Sequence, residues 1–180
     1  FGQIPQLIAQ GAIPCDVFFV QVSPPDADGD FSFGVVNDYM QAAIARARVV
    51  VAEVNELVPR TACDRRLPAA RVDFRLDTRR PLVEVKSAPI SATDRAIAGF
   101  AAGYIRDGAV LQTGIGAVPD AITQLLGDRR DLGVHSGMVG DGIVELMKSG
   151  AVNNALKPFD TGVSITGSLM GTRRLFEFAH

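Results

Sequence analysis

The sequence predicts an α/β fold of open, largely parallel sheets with flanking helices, arranged as two related α/β halves that both look incomplete. Three observations lead there. Short β-branched runs alternate with segments of helical periodicity, the rhythm of βαβ units. The runs are apolar almost throughout, as in strands covered on both faces, rather than alternating as in a half-solvated sheet. Glycine and proline stand at nearly every junction between the two patterns.

Taken in order, Ile4, Leu7 and Ile8 stand at helical spacing, with Gly11 and Pro14 ending that element. The stretch 16–22 (DVFFVQV) is read as a buried strand, broken by Ser23-Pro24-Pro25-Asp26 and a turn-rich connection to Gly34. Met40, Ala43, Ile44 and Ala47 share one helix face, and 49–54 forms a second buried strand. Residues 55–89 are irregular and rich in arginine, with a short strand expected at Val83-Glu84-Val85. They connect the two halves, so the expected division is 1–89 for the first half and 90–180 for the second.

In the second half, Ser91 or Asp94 caps a helix bearing Ile97, Ala101, Tyr104 and Ile105 on one face. Strands are expected at 109–113, 131–135 and 163–166. Pro119 suits the first position of a helix. Asp141 starts another, ended by Gly150, and Thr172 opens a last one with Leu175, Phe176 and Ala179.

Composition bounds the function classes. The 180 residues are 47% apolar and 21% charged, with a net charge of −2, so nothing draws the chain to nucleic acid or an anionic membrane. Arg65, Arg66, Arg71, Arg75, Arg79 and Arg80 crowd one stretch, but Asp64, Asp73 and Asp77 are interleaved with them, the mark of a solvated face. Cys15 and Cys63 have no metal spacing and suit a reducing cytoplasm. No apolar run reaches the length of about 18 residues that a membrane-spanning helix needs. No His/Cys/Asp/Glu spacing calls for a metal.

The chemistry-bearing candidates lie at predicted strand ends. In Leu111-Gln112-Thr113-Gly114-Ile115-Gly116-Ala117-Val118-Pro119-Asp120 a strand meets a glycine turn and a helix start. There, main-chain N–H groups can meet an anion, although a purely structural turn fits as well. It matches neither a dinucleotide fingerprint nor a P-loop. Ser23 to Asp26 follow a strand, where open sheets place ligands, and equally read as a rigid turn. After the strand at 131–135, His135 is a candidate base and Ser136 a candidate nucleophile, while a polar strand end satisfied by its neighbours is the plainer reading. Asp141 and Glu145 share a helix face, with Asp141 also a candidate N-cap.

Five ordered segments, VSPPDADGDFSFGV (22–35), VVVAEVNELVPRT (49–61), LQTGIGAVPDAI (111–122), LGVHSGMVGDGIVELMKSGAVNN (132–154) and GTRRLFEFAH (171–180), resemble the acetyl-CoA hydrolase/transferase family, of the 4-hydroxybutyrate CoA-transferase type. Members are longer than this chain, so the resemblance implies a middle segment of a CoA-transferase-type fold. It implies ping-pong transfer of coenzyme A from a short-chain acyl-CoA to a carboxylate such as acetate or 4-hydroxybutyrate. A glutamate attacks the thioester and then carries CoA. Gly114, Ile115, Gly116, Ala117 and Val118 match the family's CoA-contacting loop. A cytoplasmic homo-oligomer without metal completes the expectation, with exposed apolar surface where the remaining parts pack.

One position departs from the pattern. The family motif reads His-Thr/Ser-Glu-Met, whereas this chain has His135-Ser136-Gly137-Met138, so the glutamate position falls on Gly137. The standard covalent route then has no side chain to run on. Three readings follow: a divergent CoA enzyme using water or another group, with His135 as candidate base; a non-catalytic acyl-CoA-binding protein of the same fold; or a glutamate supplied from elsewhere.

Overall fold

In the computed structural model, which describes residues 2–180, the chain forms two compact units. The first runs to Val83 and takes in Ala179 and His180; the second covers Glu84–Phe178.

The first unit contains helix α1 (Ile4–Ala9), strand β1 (Val17–Val22), helix α2 (Met40–Arg46), strand β2 (Val49–Asn55), a 3-10 turn at Ala69–Arg71 and strand β3 (Phe74–Thr78). The strands form one parallel sheet in the order β1-β2-β3, with Phe19 opposite Val51 and Val51 opposite Phe74. Because side chains alternate along a strand, this register sends Val20, Val22, Val50, Ala52 and Val54 to one side. There they pack with Ile44 and Ala47 of the α2 region and with Phe31, Phe33 and Leu67.

The other side of the same sheet is bare. Phe19 is 75% exposed, and Phe74 and Leu76 are exposed beside it. The strand at 16–22 is therefore not covered on both faces within this chain. Its apolar run reads as doubly buried, but helices reach only one side of it.

β3 replaces the expected strand at Val83-Glu84-Val85, which has no strand geometry. Its sequence, Phe-Arg-Leu-Asp-Thr, does alternate, and the surrounding arginines masked that pattern. Those arginines are solvated and mostly paired: Arg66 with Asp26, Arg75 with Asp77, Arg79 with Glu56 and Arg80 with Glu53.

Glu53 is the polar centre of the bare face. Its carboxylate accepts from Arg80, from Thr78 Oγ1 at 2.8 Å and from Gln21 Nε2 at 3.0 Å, joining all three strands. The Arg80 hydrogen bond, joined by those of Thr78 and Gln21 and opposed by burial, lowers its pKa from 4.5 to about 2.

The second unit contains α3 (Ala92–Ala102), β4 (Val110–Leu111), α4 (Ala117–Gln124), β5 (Gly133–Val139), α5 (Asp141–Lys148), β6 (Ile165–Leu169) and α6 (Arg173–Phe178). Its sheet is parallel in the order β4-β5-β6. The expected capping of α3 is present as a full capping box between Ser91 and Asp94. Only Ala98 and Ala102 of α3 are buried, while Ile97, Phe100 and, just past its end, Tyr104 stay exposed along one side.

Boundaries shifted in several places, and the strand expected at 109–113 is only the two residues of β4. β5 extends four residues beyond the expected end at His135, so Gly137 lies inside a strand rather than after it. The last strand starts at Ile165 instead of Val163. α4 begins at Ala117, which makes Pro119 its third residue rather than its first.

The amino-terminal end of β5 is fixed by two buried side chains. Lys157 Nζ donates to Val134 O at 3.1 Å and to Val163 O at 2.7 Å. Gly133 makes this possible, since a Cβ there would stand 2.5 Å from Lys157 Cγ. Asn154 accepts from the Val134 N–H through Oδ1 and donates through Nδ2 to Ser164 Oγ. Strands β5 and β6 are thus pinned at one end, and their carboxyl ends point together to the other.

The Glu53 cluster gives a pH prediction. A carboxyl whose pKa is lowered by folding stabilises the fold fully above its unfolded pKa, and that contribution fades as pH falls through the folded value. The stabilisation should hold above about pH 4.5 and disappear towards pH 2, the window set by the shift of Glu53. After solvent screening it amounts to about 1 kcal/mol. Urea melts of the whole protein and its Glu53→Gln variant should differ most at pH 7, less at pH 3, and converge only towards pH 2. An equal gap at all three values would refute the assignment.

Candidate functional site

Parallel strands deliver their carboxyl ends, and the loops that follow them, to one edge of the sheet. In the second unit that edge holds the glycine turn after β4, the end of β5 and the Met170-Gly171-Thr172 turn after β6. The motif residues of the second half therefore converge there because the sheet is parallel.

The glycine turn ends at Gly116, with φ 116° and ψ 179°. Side chains are essentially excluded from that region, so the residue must be glycine. No side chain caps α4, which leaves the Ala117 and Val118 N–H groups at its start without a helical partner. Asp120 N–H bonds back to Gly116 O, and Pro119 has no N–H to offer. Ile115 is half exposed at the crest of the turn.

Ser136 fixes this turn against β5. Its hydroxyl is buried and accepts from Thr113 N–H at 3.0 Å. It has Met138 O at 2.6 Å and Thr113 O at 3.1 Å within reach for its single proton. Thr113 Oγ1 adds a bond to Met138 O at 3.3 Å. A hydroxyl engaged on every side and closed to solvent does not attack a substrate, so Ser136 is a structural tie rather than a nucleophile.

His135 and Gly137 lie on the opposite face of β5 from Ser136, by the alternation of the strand. The His135 ring meets the edge of Phe159 with centroids 5.2 Å apart. Its Nδ1 is one of two buried side-chain polar atoms without a hydrogen-bond partner among the described residues. Gly137 is exposed, and a Cβ built on it would have nothing within 4 Å. The pairs Ser136–Thr166 and Met138–Ser168 set Gly167 opposite Gly137 on β6. Two glycines side by side leave a patch of bare backbone between His135 and Ile165 on one side and Val139 and Leu169 on the other.

Asp141 is not an N-cap. It is the first residue of α5, and its carboxylate accepts from the Thr172 N–H at 2.9 Å and the Thr172 hydroxyl at 3.0 Å. Glu145, one turn on, pairs with Arg174. Both carboxylates are spent on holding the turn and helix after β6, and neither reaches the place where a side chain at 137 would stand. Gly142 lets α4 and α5 approach closely, since a Cβ there would strike Thr123.

The acetyl-CoA hydrolase/transferase N-terminal domain model matches residues 1–84. A 4-hydroxybutyrate coenzyme A transferase of Clostridium kluyveri is 40% identical over 180 residues, covering 100% of this chain and 42% of the relative. A succinyl-CoA:cyclohexane-1-carboxylate CoA transferase of Geobacter metallireducens is 36% identical over 178 residues, covering 99% of this chain and 40% of the relative. The crystal structure of a 4-hydroxybutyrate CoA-transferase from Porphyromonas gingivalis superposes with a TM-score of 0.95 at 36% identity, over 100% of this chain and 46% of that one.

The chain belongs to the acetyl-CoA hydrolase/transferase family.

It spans about two fifths of the length of these curated relatives. The candidate site in this acetyl-CoA hydrolase/transferase family chain is one sheet edge. The sequence pointed to the glycine turn, His135 and Gly137 but gave no sign of Gly167. Only strand register brings Gly167 beside Gly137, and register between strands about thirty residues apart leaves no trace in either segment alone.

Ser136→Ala should strand the Thr113 N–H and lower the unfolding free energy by about 1–3 kcal/mol. Amide exchange at Gly114 to Gly116 should quicken in the variant, and a serine-directed phosphonate should leave natural Ser136 unlabelled. Labelling would show that the hydroxyl is accessible and return it to the list of nucleophiles.

Proposed function

We propose that the whole protein binds a short-chain acyl-CoA thioester at the glycine turn and acts on it as a divergent CoA-transferase or acyl-CoA hydrolase. The observation that carries this reading is Gly137: an exposed, open strand position at the point where the family motif has its glutamate. The turn Gly114-Ile115-Gly116-Ala117-Val118 keeps its uncapped helix start, where the partial positive charge suits a phosphate or a developing oxyanion. Ser136 holds that turn in register with residue 137. The relatives' printed activities, transfer of CoA between carboxylic acids, set the substrate class: an acyl-CoA and a small carboxylate.

In a transferase of this type, the glutamate forms a mixed anhydride with the acyl group and then holds CoA as a thioester. Gly137 offers no carboxylate, and Asp141 and Glu145 are committed to Thr172 and Arg174. His135 is placed on the face of position 137 as a candidate base for water. A cytoplasmic homo-oligomer belongs to the same reading by family resemblance. The alternative is an acyl-CoA-binding protein without turnover, favoured by the same lack of a free carboxylate at the edge.

The test compares the natural full-length protein with Gly137→Glu, reading CoA exchange from butyryl-CoA to acetate and trapping of a protein-bound CoA thioester. The open space at 137 predicts that Gly137→Glu folds and gains both exchange and the trapped thioester, neither of which the natural protein shows at comparable rate. A folded Gly137→Glu that binds butyryl-CoA without any exchange would refute the placement of the reaction centre.

A further inference from the structure

Nothing outside the adjoining residues of its own strand fills the space over Gly137. A single glycine in a sheet is usually overhung by the residue beside it on the next strand. Here the neighbour is Gly167, which has no side chain to lean across, and no atom comes within 4 Å of a Cβ built at 137. The gap is bounded on the same face by His135, whose Nδ1 is buried without a partner, and it lies beside the strand that Ser136 ties to the glycine turn. Nothing in the backbone demands glycine at 137, since the residue sits in β5 and its φ is not left-handed. Space rather than conformation distinguishes it.

We propose that the gap over Gly137 and Gly167 seats a free small monocarboxylate, the acceptor itself, in the place of the missing glutamate side chain. CoA transfer then runs in a ternary complex with no covalent enzyme intermediate. The inference rests on the reading of the glycine turn as an acyl-CoA site. An oxygen of the acceptor carboxylate attacks the thioester carbonyl carbon. A C–O bond forms, the C–S bond breaks, and CoA leaves as thiolate with the bonding pair, giving a mixed anhydride free in the site. The thiolate then attacks the acceptor's carbonyl carbon. The new C–S bond forms as the C–O bond to that carbon breaks, and the original acyl group departs as its carboxylate. No proton, oxidant or reductant is consumed.

Magnitude sets what to expect. A tethered, oriented carboxylate has an effective concentration of about 10⁵ M or more, against about 0.1 M for a dissolved acid. The natural protein should therefore be slower than Gly137→Glu by up to about a millionfold, the gap narrowing as the site preorganises the free acid.

The experiment uses the natural full-length protein with butyryl-CoA and acetate, and measures butyryl-CoA binding separately by calorimetry. The expected result is transfer that rises with acetate and gives intersecting initial-rate lines, with no trapped protein–CoA thioester. Gly137→Val, which places a branched side chain in the gap, should raise the KM for acetate about tenfold, more than it raises the dissociation constant of butyryl-CoA. If butyryl-CoA binds but its breakdown ignores acetate, the inference falls and the acyl-CoA site stands. Parallel initial-rate lines, or a trapped thioester on the natural protein, would also overturn it by revealing a nucleophile of the protein's own. Absence of butyryl-CoA binding would overturn both. The initial-rate pattern is read on the natural chain, so a misfolded Gly137→Val would not spare the proposal.

Discussion

One buried hydroxyl sets the geometry on which the second unit's site depends. Ser136 lies in the middle of β5, closed to solvent, and its oxygen meets the Thr113 N–H, Thr113 O and Met138 O. β4 is only two residues long, too short to hold its own carboxyl end in place by ladder hydrogen bonds. The serine supplies what the short strand lacks. Buried donors and acceptors that find no partner are costly, so the four polar groups gathered here hold one another. The glycine turn is thereby fixed beside residue 137, and α4 starts from a fixed point. A side chain that looks like a nucleophile in the sequence is thus spent on position, and the reactive chemistry must be sought on the other face of its strand.

That division of faces follows from strand geometry. Ser136 and Met138 turn one way and His135 and Gly137 the other, so a single strand presents a sealed side and an open side. The pins at its amino end, Lys157 and Asn154, keep β5 from sliding against its neighbour. A one-residue slip would exchange the two faces and put Ser136 where Gly137 stands. At the other end, Asp141 holds the turn after β6 through Thr172. The polar residues of this unit thus serve mainly to fix register, which is what a site built from the ends of several strands requires.

The order of elements was legible from the sequence because glycine and proline punctuate a parallel α/β chain so regularly. The capping of α3 by Ser91 could be read because a capping box is local: both partners lie within four residues. β3 could not, because its alternating residues sit among arginines whose pairing with Asp26, Glu53 and Glu56 is decided in three dimensions. The extent of β5 was underestimated because glycine in a strand is read as a break, whereas Gly137 continues the ladder. The nucleophile alternative for Ser136 and the N-cap alternative for Asp141 fall for a shared reason. A serine after a histidine, or an aspartate at a helix start, has a familiar local meaning, and each was instead taken up by a partner more than twenty residues away.

The first unit's bare sheet face and the exposed side of α3 follow from the same physics seen from outside. A parallel sheet buried on both sides leaves strands of continuous apolar sequence, and β1 has that sequence although only one of its sides is covered here. Phe19, Phe74 and Leu76 are arranged in register around the Glu53 cluster. A sheet face meant for water would not place aromatic and aliphatic side chains on adjoining strands. Among the described residues that face is exposed, and the Glu53 cluster lies on it. The carboxylate is already satisfied by Arg80, Thr78 and Gln21, so covering it would leave no unpaired charge, while stripping water from the Glu53–Arg80 pair would still cost desolvation free energy.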